Sequence, residues 1–112
     1  MLEGRITALL YSIAGLVAAW KTSVAFRLEC VLSIVLVAVA FWAGESGLER
    51  AVLIAPVFLV LIVELLNSAI EATVDRIGPE IHPLSKQAKD MGSASVFLAL
   101  LVVVVIWALL LF

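Results

Sequence analysis

The chain has a single cysteine, Cys30, and a single histidine, His82. One cysteine excludes an intrachain disulfide framework and any cysteine-cluster metal site, and it leaves Cys30 as a small apolar filler. Charge is scarce too. Only 14% of residues are charged, the net charge is −2, and no basic run is present. A protein that tracks a phosphate backbone needs such a run, so nucleic acid is excluded as a partner. Internal repeats and low-complexity stretches are also absent.

What fills the 112 residues is apolar: 65% are hydrophobic, where a soluble domain is nearer half. The stretch Met91 to Phe112 runs for 22 residues without a charge, and about 20 residues at a helical rise of 1.5 Å cross a hydrocarbon core. The excess belongs in a bilayer. Arg5 precedes an uncharged run from Ile6 to Trp20, as in a secretory signal. However, Glu3 lies in the would-be basic region and no small-x-small cleavage site follows, so the segment reads as part of the mature protein.

Along the chain, Ile6, Leu9, Leu10, Ile13, Leu16, Val17 and Trp20 recur at three- and four-residue steps, with small residues such as Gly15, Ala18 and Ala19 between them. That spacing predicts an amphipathic helix over 5–22, suited to the membrane surface or to close packing on another helix. Three membrane helices are expected to follow, at 24–44, 48–77 and 85–112, in one domain covering 1–112. The reading is therefore an all-α membrane protein with an N-terminal surface helix and three spans. Arg5, Lys21 and Arg27 flank the first segment, Arg50 alone marks the first loop, and Arg76, Lys86 and Lys89 mark the second. The positive-inside rule then puts the N-terminus and the second loop in the cytosol and the C-terminus outside.

The chemistry sits on the third helix. Glu64, Asn67, Glu71 and Asp75 are separated by steps of 3, 4 and 4, so all four project from one face. Polar residues in bundles can serve simply as glue between helices. Three acids and an amide on one face exceed that need, and intramembrane ionisable groups mark function by default. Clustered carboxylates repel unless they share protons or hold a cation, and an oxygen-only set at the water boundary suits Mg²⁺ completed by substrate phosphates. Glu64, two turns deeper than Glu71, is placed to act as a general base on a hydroxyl presented from the bilayer. Lys89 and Asp90 open the last helix near Ser93, offering an ammonium for phosphates and a further oxygen. His82 alone reads as a solvated loop residue. Phe26 and Arg27 read equally as an interfacial anchor or a headgroup contact.

The run from Glu64 through Asn67, Ser68, Ala69, Ile70 and Glu71 to Asp75 closely resembles the signature of the prokaryotic diacylglycerol kinase family. Arg76-Ile77-Gly78, Glu80, His82-Pro83-Leu84-Ser85 and Ala88-Lys89-Asp90-Met91-Gly92-Ser93 follow at the family's spacing. Ala25-Phe26-Arg27 with Glu29 is similar to its first-span motif. The resemblance implies a homotrimer in the bacterial cytoplasmic membrane, with active sites shared between subunits, using ATP and Mg²⁺ to phosphorylate a membrane lipid. By that similarity Glu64 would be the catalytic base and Glu71 a metal ligand. Tyr11, Asn67, Glu71, Asp75, Glu80, His82, Lys89 and Asp90 would surround ATP. Arg5, Ala25, Phe26, Arg27, Glu29, Arg50, Glu64 and Ser93 would line the lipid path.

The sequence also departs from the family's pattern. Ser23 stands where the family has a second acidic metal ligand, Thr22 replaces a common asparagine, and the first helix lacks most of the family's basic residues. Diacylglycerol is the expected acceptor, with undecaprenol the alternative. Outside this class, a small proton-coupled exporter or a catalytically impaired family member are the competing readings. An exporter would need four spans and one dominant buried acid, whereas this stripe climbs to the cytosolic boundary and meets a Lys-Asp pair.

Overall fold

A computed structural model describes residues 2–80 and 82–112. Its elements are four helices: α1 (Leu2–Thr22), α2 (Val24–Ala43), α3 (Gly47–Ile77) and α4 (Pro83–Leu111). All four are long and apolar enough to cross a membrane, where the sequence predicts three spans and a surface helix. The α1 segment is the least hydropathic of them.

Each junction has a local cause. Ser23 is extended between α1 and α2, and its Oγ accepts from the backbone N–H of Phe26 at 3.1 Å, which caps α2. Arg27 reaches back with Nη1 to the Trp20 carbonyl at 2.9 Å, so an orphan acceptor at the end of α1 is satisfied. At the next turn Ser46 Oγ accepts from Glu49 N–H at 3.1 Å, while Glu49 Oε2 accepts from Glu45 N–H at 2.7 Å. This reciprocal arrangement is a capping box moved by one residue. Arg50 Nε donates to the Phe41 carbonyl at 3.2 Å, closing the α2 end against the start of α3. Gly44 is obligatory beneath it, because a β-carbon there would lie 2.6 Å from Arg50 Cγ.

Gly78 ends α3 at φ 152°, a conformation that side-chain-bearing residues rarely adopt. The last helix starts at Pro83, two residues before the predicted 85, since His82 Nδ1 accepts from Leu84 N–H at 3.0 Å and proline suits the first helical position.

The helix α3 is the spine. Its buried residues Leu53, Pro56, Val57, Val60, Glu64 and Asn67 form one seam, and 53, 57, 60, 64 and 67 alternate steps of four and three as in left-handed helix packing. Against this seam lie α4, through Gly92 and Ala99, and α2, through Ala40. Trp107 Nε1 donates to the Leu53 carbonyl at 3.0 Å, tying α4 to α3 just before Pro56, where the helix ladder already lacks a donor. On α1 only Ala19 is buried. Its small-residue face, with Ser12, Gly15 and Thr22, borders an open groove against Ser68, Ala69 and Ala72 of α3, while its apolar stripe is left outward.

Candidate active site

The packing seam of α3 becomes polar as it approaches the α1–α2 junction. Glu64 and Asn67 are 5% and 8% exposed, so the inner half of the acid stripe continues the core, while Glu71 and Asp75 face solvent. A cavity of about 380 Å³ opens beside it. Its α3 wall is Glu64, Asn67 and Glu71, its α2 side is Ser23, Ala25 and Glu29, and α4 contributes Ser93 with an apolar wall of Val96, Phe97 and Leu100. Asn67 Nδ2 donates to Glu71 Oε1 at 3.4 Å. Two buried acceptors here, Glu29 Oε2 and Asn67 Oδ1, have no hydrogen-bond partner among the described residues. Buried polar atoms of that kind are rare and point to function or to a missing ligand.

One helical turn beyond Glu71 the stripe reaches a second cavity, of about 300 Å³, between the end of α3 and the start of α4. Asp75, Glu80, His82, Lys89 and Asp90 border it. Lys89 Nζ binds Asp75 Oδ1 at 2.7 Å across the two helices, and Lys86 Nζ binds Asp90 Oδ2 at 2.6 Å within α4. Carboxylates and ammonium groups thus form a continuous line from the buried Glu64 to solvent.

Other residues singled out from the sequence lie elsewhere. Arg5 and Tyr11 are exposed on α1, Tyr11 at 74%. Phe26 is buried without bordering the cavity, and Arg27 is engaged with the end of α1. Arg50 caps the far end of α2, 14 residues and so about 21 Å along α3 from Glu64. The chain therefore gathers Glu64, Asn67 and Glu71 with Ser23, Ala25, Glu29 and Ser93 at one cavity, and Asp75 with Glu80, His82, Lys89 and Asp90 at the other.

Sequence reasoning missed the apolar wall, although Ser93, Val96, Phe97 and Leu100 follow helical steps. It missed Gly92 as well, where a β-carbon would collide with Asn67 Oδ1. The third omission is Ser23's present occupation: its hydroxyl already serves as a helix cap.

Among the described residues, no three acidic, histidine or cysteine side chains converge tightly enough to cage a metal by themselves. The donor chemistry still fits Mg²⁺, which is commonly held through one or two carboxylates with waters and substrate phosphates in the remaining positions. Glu71, beside Asn67 Oδ1, is the carboxylate that would take that role.

The chain also matches known proteins along most of its length. The family model described as prokaryotic diacylglycerol kinase matches residues 10–111. The protein named diacylglycerol kinase from Pseudomonas aeruginosa is 59% identical over 98 residues, which is 88% of this chain and 80% of the relative. Its namesake from Escherichia coli K12 is 54% identical over 90% of this chain and 83% of its own length, and that from Haemophilus influenzae 51% over 91% and 86%. A match across nearly the whole chain at this identity, on a helical membrane fold with an acid stripe leading to a lysine, places the protein in the prokaryotic diacylglycerol kinase family.

Proposed function

We propose that the protein transfers the γ-phosphoryl group of ATP to the hydroxyl of a membrane lipid, diacylglycerol foremost, giving phosphatidic acid and ADP. One observation carries the reading: a buried carboxylate, Glu64, is joined along one helix face to Glu71 and then to the Asp75–Lys89 pair at the solvent edge. The reaction needs that polarity, since its acceptor comes from the bilayer and its donor from water. Phosphoryl transfer asks little covalent chemistry of a protein, so positioning and charge neutralisation are its main contributions.

Glu64 accepts the proton of the lipid hydroxyl as oxygen attacks phosphorus. The wall of Val96, Phe97 and Leu100 holds the acyl portion and excludes water. Lys89 leaves Asp75 in part to contact the phosphates, and Asn67 orients the Glu71 carboxylate. Mg²⁺, when bound with the nucleotide at Glu71, supplies neutralisation of the phosphate charge. Ser23 adds no carboxylate to that site, which weakens the hold on the metal.

In this reading α1 lies along the cytosolic surface of a bacterial inner membrane, supported by its low hydropathy and its single buried residue. The helices α2 to α4 span, with the N-terminus inside and the C-terminus outside. A homotrimer accounts for the open sides of both cavities and for Arg5 and Tyr11 lying outside them, because a neighbouring copy can supply such contacts. The test is phosphate incorporation into diacylglycerol and undecaprenol by purified protein in mixed micelles with ATP and Mg²⁺. Incorporation into diacylglycerol is expected; a folded protein that labels neither lipid refutes the reading.

A further inference from the structure

Lys86 stands in the first turns of α4, four residues after the His82 cap. A cation there opposes the helix dipole, whose positive end lies at the N-terminus. Its pairing does not repair this, because a lysine placed N-terminal to its acid at i,i+4 is the less favourable order. The Lys86–Asp90 pair is also largely solvated, with side chains 72% and 62% exposed, and pairs of that kind add little to stability. Helix stability therefore gives no reason for a lysine at this position. Its location does. Lys86 borders the same solvent-edge cavity as Asp75, Lys89 and Asp90, and residues three apart on a helix are surface neighbours, so both ammonium groups flank one opening.

We propose that Lys86 binds the polyphosphate of the nucleotide beside Lys89, exchanging Asp90 for phosphate oxygens when the nucleotide enters. The inference rests on the nucleoside-triphosphate reading above. A triphosphate brings more negative charge than Lys89, still shared with Asp75, can offset alone, and the positive end of α4 adds to the attraction. The unfavourable placement of Lys86 in the free protein becomes favourable once an anion sits at that helix end.

The experiment compares full-length wild type, Lys86→Gln and Lys86→Arg in lipid nanodiscs by equilibrium MgATP binding and by steady-state kinetics. In Lys86→Gln the ATP Kd and KM rise about fivefold to tenfold, while kcat and the lipid KM stay within about twofold. Lys86→Arg keeps ATP affinity near wild type, and ATP binding by wild type weakens more steeply with added salt than binding by Lys86→Gln. An unchanged ATP Kd in Lys86→Gln overturns the proposal. So does an equal rise in lipid KM, or an equal loss in Lys86→Arg, since either assigns the effect to local structure. If wild type binds ATP without transferring phosphate, the kinase reading fails and the Kd comparison still decides the role of Lys86. If wild type binds no ATP, both fall.

Discussion

Gly92 and Asn67 meet across the α3–α4 seam so closely that a β-carbon on Gly92 would overlap the Asn67 side-chain oxygen. The same amide donates to Glu71, so a backbone position on α4 sets the reach of a side chain toward the carboxylate assigned to the metal. Gly92→Ala should push Asn67 off Glu71 and lower kcat about 10- to 100-fold, as displacements near 1 Å can at reacting centres. In an Asn67→Ala background the same substitution should have little further effect on kcat. Full additivity of the two losses would show that Gly92 acts by another route.

Glu64→Gln keeps size and removes the proton acceptor. Turnover should fall about 10²- to 10⁴-fold, the range for general-base removal, with MgATP affinity and thermal unfolding close to wild type. Wild-type kcat in this variant would end the assignment of Glu64 as base.

Ser23 permits two opposite tests at one position. Ser23→Ala loses the cap on Phe26 N–H and should cost about 1 kcal/mol in unfolding with no change in Mg²⁺ requirement. Ser23→Asp retains a capping oxygen and introduces a carboxylate beside the Glu71 cavity, so half-saturating Mg²⁺ should drop. Ser23→Glu should lower it as well, with a poorer cap. A Mg²⁺ titration of initial rates reads the difference, and identical curves for wild type, Ser23→Asp and Ser23→Glu would mean that another ligand already completes the site.

Trp107→Phe removes the indole donor to Leu53 while preserving most of the ring's volume. The loss should be about 0.5–1.5 kcal/mol, typical of one hydrogen bond between membrane helices, seen as a lower midpoint of thermal unfolding in micelles. The kcat value should not move, because this tie lies about 16 Å along α3 from Glu64.

The polar stripe was legible because helical periodicity alone puts Glu64, Asn67, Glu71 and Asp75 on one face. That only Glu64 and Asn67 are buried, in register with Leu53, Val57 and Val60, while Glu71 and Asp75 are exposed, needed the structure. The α4 wall and Gly92 were hidden, since which residues of one helix oppose another depends on the packing register between them. Ser23 looked like a missing acid because residue type says nothing of a backbone N–H already waiting for its hydroxyl. Arg50 read as a loop charge or a lipid contact, and only the turn geometry shows its guanidinium over the Phe41 carbonyl. The span count of α1 was equally hidden, for length and apolarity permit a crossing whether or not the helix makes one.

The helix α3 is unbroken from Gly47 to Ile77, so Glu64 and Asp75 are fixed about 16 Å apart along its axis, eleven residues at 1.5 Å each. That distance cannot adapt to the membrane around it. The bilayer must instead bring an acceptor hydroxyl to the depth that the rod prescribes, and thickness mismatch is relieved by tilting the helix or deforming the lipid. On the proposed roles of Glu64 and Asp75, acyl-chain length of the host membrane becomes a variable of the reaction, setting how often a lipid headgroup and a nucleotide stand at opposite ends of the same fixed interval.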